Sequence, residues 1–309
     1  MAQTSHYKSA FGHRMYEWLG DRLNVPWAYR VRMIRAAKTA KSPVEYLKRK
    51  AAARSSSAQS PFGQKVKDGY WLFKPDEIPQ AKAAAAECAR LFDKLQESGA
   101  LNEARGNKKK HLRAIVKGDE FAEYPEIGRF AVSRPVLEVA AGYFGSAPIL
   151  STVCLLWSVK SDTTVSSQKY HFDGEDVRQL KLFLNVWDLE DAHGPLTFFP
   201  ASTSKDILQG AEREQRLNAG ATTFDDAFVV AGSNNRAPLQ VLGEAGTGVF
   251  LDTSRCIHYG SRHNSKERLM LMIQYAPYNL ARESAVDLGS TDWIPYQRND
   301  ELQRLALGK

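Results

Sequence analysis

Cysteine is scarce in this chain: three in 309 residues, Cys88, Cys154 and Cys256, with no Cys-x-x-Cys among them. An odd, scattered set of thiols excludes a disulfide-framed scaffold and fits a reducing compartment. No run of 18 or more apolar residues occurs, which removes a membrane-spanning helix. The opening Met1-Ala2-Gln3-Thr4-Ser5-His6-Tyr7-Lys8 lacks an apolar signal core, so a cytoplasmic location is expected. No segment repeats, which excludes solenoids. What is present is a chain of 43% hydrophobic residues, long enough for one substantial core with additions.

Acidic residues are few at the N-terminus. Residues 1–60 hold twelve Lys and Arg against Glu17, Asp21 and Glu45, while the whole chain is only +7, so the remainder is slightly negative. Such an arm can attract an anionic membrane surface, a nucleic acid, or an acidic carrier or substrate. The plainer reading is a solvated helical extension, or one packed on a partner subunit. Tyr16, Trp18, Trp27 and Tyr29 read as helix-docking residues, so nucleic acid is not expected. Peripheral contact with a surface through residues 1–60 stays open.

Candidate chemistry is concentrated in five residues. His171 and Asp173 lie two apart, and on extended backbone such side chains point the same way. Gly174-Glu175-Asp176 follows as a loop signature, placing the pair at a strand end. A distant His258 completes two imidazoles and one carboxylate, the face that holds ferrous iron and leaves coordination positions open. Arg268, ten residues past His258, opens the strand-like run Leu269 to Tyr275. Its guanidinium suits a bidentate hold on the carboxylate of a small dicarboxylic acid. Cys256 shares the strand face of His258 and reads as an interior filler.

Read with these residues, the segment Leu180 to Pro200, with its Gly194-Pro195-Leu196 turn, resembles the phytanoyl-CoA dioxygenase family of iron(II)- and 2-oxoglutarate-dependent oxygenases. The likeness runs from about Phe62 to Tyr278, and takes in Gly69-Tyr70 and the long helix from Ile78 to Gln96. It departs where Ala201-Ser202-Thr203 stands in place of the family's Gly-Ser-His. The resemblance implies His171, Asp173 and His258 as iron ligands. It also implies 2-oxoglutarate on Arg268 with the Ser261 hydroxyl, and O2 as oxidant. The reaction expected is C–H hydroxylation of a small molecule (a natural product, lipid or acyl-carrier-linked compound), with release of succinate and CO2. Family halogenases lack the carboxylate ligand, so Asp173 argues against halogenation. The anionic or carrier-bound character of the substrate, desaturation, cyclisation or epimerisation at the same iron, and a metal-free jelly roll that only binds a ligand all stay open.

The expected fold is mainly β: a double-stranded β-helix (jelly roll, cupin-like) with flanking α-helices and a helical N-terminal extension. Helices are expected at His6 to Leu19, Pro26 to Ala40, Pro43 to Arg54, Pro79 to Glu97 and Glu126 to Phe144. Strands are expected at Gly69 to Phe73, Ile149 to Val159, Arg178 to Leu189, Leu196 to Phe199, Leu239 to Leu242, Gly248 to Leu251, Cys256 to Tyr259 and Arg268 to Ala276. Ser55 to Pro61 reads as a linker, dividing the chain into 1–61, an oxygenase domain 62–280, and a tail 281–309 with a short helix. Ala211 to Pro238 reads as a polar insertion and a candidate lid. On the strand after Arg178, Leu180, Leu182, Leu184 and Val186 form a core face. Lys181, Phe183, Asn185 and Trp187 form a mixed face, of which Lys181, Phe183 and Asn185 are substrate-side candidates.

Overall fold

The computed structural model describes residues 15, 18–20, 22–23, 25–57, 60–101, 112–209, 222–281 and 288–309. Helices α1 (Trp27–Lys41) and α2 (Pro43–Ser57) come first, then β1 (Tyr70–Phe73), α3 (Ala81–Glu97), β2 (Arg113–Lys117), α4 (Pro125–Ala131) and α5 (Arg134–Phe144). The β-rich half runs β3 (Ile149–Ser158), β4 (Tyr170–His171), β5 (Leu180–Asn185), β6 (Thr197–Phe198), α6 (Ala201–Ile207), β7 (Thr223–Phe224) and α7 (Asp226–Gly232). It ends with β8 (Leu239–Gln240), β9 (Gly248–Leu251), β10 (His258–Tyr259), β11 (Arg268–Ala276) and α8 (Glu301–Leu307).

The strands form a six-stranded sheet, β1-β9-β5-β11-β3-β2, and a five-stranded sheet, β7-β4-β10-β6-β8. Every pairing between these strands is antiparallel. Side-chain alternation turns this into layers. Leu180, Leu182 and Leu184 of β5 and Leu269, Leu271 and Ile273 of β11 face the helices and join one core with Ala84, Cys88 and Phe92 of α3. The opposite face of the same sheet meets the smaller sheet, where Phe183, Met270 and Val249 pack on Leu196, Phe198 and Val241. Beyond the smaller sheet, Tyr170, Phe199 and Ile257 are covered by Ile207 of α6 and Val229 of α7. Among the described residues, the space between the sheets is therefore the interior that polar side chains from both can share.

Several expectations change. The helix expected from Glu126 to Phe144 is two, because Pro135 at the second position of α5 cannot donate to a preceding turn and Ser133 is extended (φ −62°, ψ 147°). Ser55, Ser56 and Ser57, read as the start of a linker, are the last turn of α2. Ala52 and Ala53 of that helix belong to the main core. The stretch read as a polar insertion holds β7 and α7 in its described part; residues 211–221 of the candidate lid lie outside the described residues, as does most of the expected helix His6 to Leu19. Trp187 does not continue the inner face of β5. The strand ends at Asn185, and Trp187 turns to pack edge-on against Phe92, ring centroids 5.1 Å apart. Strand β2 was not anticipated. Among the described residues no helix is long and apolar enough to cross a membrane.

The basic arm is fastened to this frame. Arg49 is buried, with Nη2 donating to the Leu305 carbonyl at 3.0 Å. Val31 and Ile34 of α1 pack with Ala281 and Val177. Arg35 pairs with Asp176 at 3.1 Å, and Trp27 Nε1 donates to the Gly174 carbonyl at 3.2 Å. The first helix thus touches the loop that begins immediately after Asp173.

Candidate metal centre

β4 and β10 pair so that His258 stands opposite His171, with ring centroids 4.3 Å apart. Asp173 follows two residues after His171, where the chain leaves the strand. Its backbone N–H donates to the Thr253 carbonyl at 2.8 Å, which fixes the start of the loop. One ligand atom from each of His171, Asp173 and His258 lies within 4.8 Å of the others. Three groups from positions far apart in sequence converge because antiparallel register brings both histidines to the same point of the smaller sheet.

The imidazoles are oriented by local backbone. His171 Nδ1 lies 2.9 Å from the Lys169 carbonyl, and His258 Nδ1 lies 3.0 Å from the Cys256 carbonyl. A carbonyl can only accept, so each Nδ1 carries the proton and each Nε2 keeps a lone pair for a cation. Burial, reinforced by His171, pushes the His258 pKa down to about 3, so His258 is neutral at physiological pH. Burial alone would raise the Asp173 pKa, but Lys181, then His258 and His171, pull it well below the usual carboxylate range. Two imidazole nitrogens and one carboxylate oxygen are the donors a divalent transition metal takes, and the residues present fit such an ion.

Lys181 comes from the opposite sheet. Its Nζ lies 2.7 Å from Asp173 Oδ2, with the two side chains 13% and 16% exposed. This places a residue read as substrate-side directly on the carboxylate. Phe183 packs in the inter-sheet core. Asn185 is fully buried, and neither its side-chain oxygen nor its nitrogen has a hydrogen-bond partner. Cys256 also lies in that core, its Sγ against the Gly69 carbonyl at 3.6 Å.

Arg268, at the start of β11, is buried between the sheets. Nη1 donates to the Gly194 carbonyl at 2.9 Å and Nη2 to Ser158 Oγ at 3.3 Å, while Nε has no partner. Burial lowers its pKa to about 10. Among the described residues no carboxylate pairs with it. The Ser261 Oγ donates to the His193 carbonyl at 3.3 Å, and the hydroxyl that bonds Arg268 directly is that of Ser158. Register explains the Ser158 contact, since Arg268 stands directly opposite Ser158 on β3. The inner face of the larger sheet thus carries a buried cation with an idle donor and, diagonal to it beside Met270, an idle amide. Both suit a small polar anion.

Sequence reasoning missed Ser158 and the Thr253 carbonyl. It also missed a buried relay in which Gln274 Nε2 donates to Gln179 Oε1 at 3.4 Å and Gln179 Nε2 donates to Thr253 Oγ1 and Glu175 Oε2 at 3.0 Å each. Ser158 was accessible from pairing Ile149–Ser158 against Arg268–Ala276; a backbone carbonyl leaves no residue signature.

No family model matches the chain, and no curated protein matches it. Solved structures do. SnoN, a non-heme alpha ketoglutarate dependent epimerase from nogalamycin biosynthesis, is 18% identical over 81% of this chain and 92% of its own, with a TM-score of 0.44. HygX from Streptomyces hygroscopicus, with nickel and 2-oxoglutarate bound, is 13% identical over 68% of this chain and 82% of its own, at 0.45. EctD from S. alaskensis, in its apoform, is 16% identical over 75% and 87%, at 0.46. At this distance, function rests on the chain's own side chains.

Proposed function

We propose that this chain is an iron(II)- and 2-oxoglutarate-dependent oxygenase of the phytanoyl-CoA dioxygenase type that hydroxylates a C–H bond of a small organic molecule. The convergence of His171, Asp173 and His258 within 4.8 Å, with both Nε2 atoms left free, carries the reading. In it, residues 62–280 form a double-stranded β-helix, with 1–61 and 281–309 as helical additions. Iron would be held by His171 Nε2, His258 Nε2 and Asp173; when bound, it supplies oxidation of the substrate by O2 coupled to conversion of 2-oxoglutarate to succinate and CO2.

The chain's own residues would do the rest. Lys181 engages Asp173 Oδ2, which would leave the other carboxylate oxygen to hold the metal. Arg268 receives the far carboxylate of 2-oxoglutarate on its idle Nε, with Gly194 and Ser158 holding the guanidinium in place. The amide of Asn185 is a further donor and acceptor for cosubstrate or substrate. Phe183 and Met270 keep the inter-sheet space dry.

The test is anaerobic loading with iron(II), followed by oxygen and 2-oxoglutarate. The expected result is one iron per chain, lost in His171→Ala, with succinate formed by the parent alone. Neither iron binding nor succinate would leave a jelly roll that binds a ligand without chemistry.

A further inference from the structure

The two helices of the N-terminal arm each leave large apolar side chains outside: Tyr29 and Met33 on α1, and Val44 and Leu47 on α2. Among the described residues nine large hydrophobics are exposed, and six of them (Trp18, Leu23, Tyr29, Met33, Val44 and Leu47) fall in this arm, so the exposure is regional. On α1 the outward positions are Tyr29, Arg32, Met33, Ala36 and Ala40, spaced three and four apart as one helical face. On α2 they are Val44, Leu47, Lys48, Ala51 and Arg54, again one face. The inward faces are already used: Val31 and Ile34 pack on Ala281, and Ala52 and Ala53 on the main core.

Charge says what the outward faces meet. Residues 27–57 contain nine Lys and Arg and a single acid, Glu45, which Arg49 Nε engages at 2.6 Å. Neither outward face carries an acid. A nucleic acid would draw on the cations but leave Met33, Val44 and Leu47 without a role. Aliphatic side chains interleaved with Arg and Lys match a layer that offers acyl chains just beneath anionic headgroups.

We propose that α1 and α2 form a docking surface for an anionic lipid bilayer, lying on the membrane with Met33, Val44 and Leu47 in the headgroup–acyl boundary. The helix that carries this surface is tied by its other side to the loop after Asp173, through Trp27 to the Gly174 carbonyl and Arg35 to Asp176. The inference does not depend on the oxygenase reading.

The experiment is flotation of the full chain with vesicles of phosphatidylcholine containing about a third phosphatidylserine, beside vesicles of phosphatidylcholine alone, at low and high salt. Binding at least tenfold stronger to the anionic vesicles, weakened by salt, is expected. Leu47→Glu and the pair Lys48→Glu/Arg54→Glu should each reduce it at least tenfold. Val230→Glu, at an exposed apolar position far from the arm in sequence, should leave it unchanged. Circular dichroism confirms that each variant is folded, and these positions are exposed enough to accept the change. Equal binding to both vesicle types, or no binding, overturns the proposal. So does concentration-dependent self-association by light scattering that Leu47→Glu abolishes without any vesicle binding, which would make the face an interface between copies.

Discussion

Replacing Lys181 by Met isolates the contact between the two sheets at the candidate centre. Lys181 and Asp173 form an ion pair of 2.7 Å that is largely buried, and Met keeps most of the stem while deleting the charge. Removing one partner of a fully buried pair costs about 3–5 kcal/mol, because the remaining charge stays in a poorly solvating site. With 13% and 16% of these side chains exposed, about 2–3 kcal/mol is the appropriate figure for metal-free protein. For a chain of this length that lowers Tm by about 5 °C. A divalent ion should change the sign of the argument. It compensates Asp173 itself, and the variant no longer holds an ammonium beside it. The metal should therefore restore much of the lost stability, and by linkage a recovery of about 1.4 kcal/mol means tenfold tighter binding by the variant. The assay is thermal unfolding of parent and variant in chelator and in saturating manganese(II) or cobalt(II), with His171→Ala as the control without a site. A metal-free Tm that does not fall, or a metal-induced rise no larger in Lys181→Met than in the parent, refutes the reasoning.

Arg268→Met should raise the KM for 2-oxoglutarate about 10–100-fold, the value of a hydrogen-bonded charged contact, and abolish the rise in Tm that 2-oxoglutarate gives the parent. Asp252 is buried and its carboxyl is raised from 3.8 to about 6, chiefly by desolvation and despite the hydrogen bond from Tyr143. The folded state then holds a proton that the unfolded chain has released, so this group's stabilisation is complete below pH 4 and is lost as pH rises through 6. It is worth about 3 kcal/mol in all. Asp252→Asn should remove that part of the pH dependence, as denaturant unfolding between pH 4 and 7 would show; an unchanged slope would count against it. Gly142 lies inside α5, where alanine ordinarily gains about 1 kcal/mol. An added Cβ would fall 1.8 Å from the Gly63 carbonyl oxygen, so Gly142→Ala should instead lose about 1–3 kcal/mol of unfolding free energy, and a stabilised variant would show that the two backbones part easily.

Legibility in the sequence followed the size of each local signal. β9 and β11 were readable to the residue because each is a continuous apolar run between turn residues. β6, β8 and β10 lie within the short apolar runs expected as strands at Leu196 to Phe199, Leu239 to Leu242 and Cys256 to Tyr259. β4 and β7, two residues each, are too short for any periodicity and exist only through long-range pairing. β2, Arg113 to Lys117, is flanked by charge and interrupted in register between Ala114 and Val116, so it carries no clean alternation. At the site, residue types with unusual chemistry stood out: the His-x-Asp pair, the distant His and the Arg. What escaped was assigned by register or by backbone. Ser158 bonds Arg268 because β3 runs opposite β11, and Lys181 reaches Asp173 because β5 faces the smaller sheet. Spacing along the chain does not encode either relation.

The bond from Trp27 to the Gly174 carbonyl has a practical bearing on how this protein can be handled. A shortened form beginning after Ser57 would strip the cover from Val177 and Ala281, leave Asp176 without its guanidinium, and free the peptide next to Asp173 to wander. Loss of turnover in such a fragment would then report a slackened ligand loop, and could not be taken to mean that the missing helices recognise substrate.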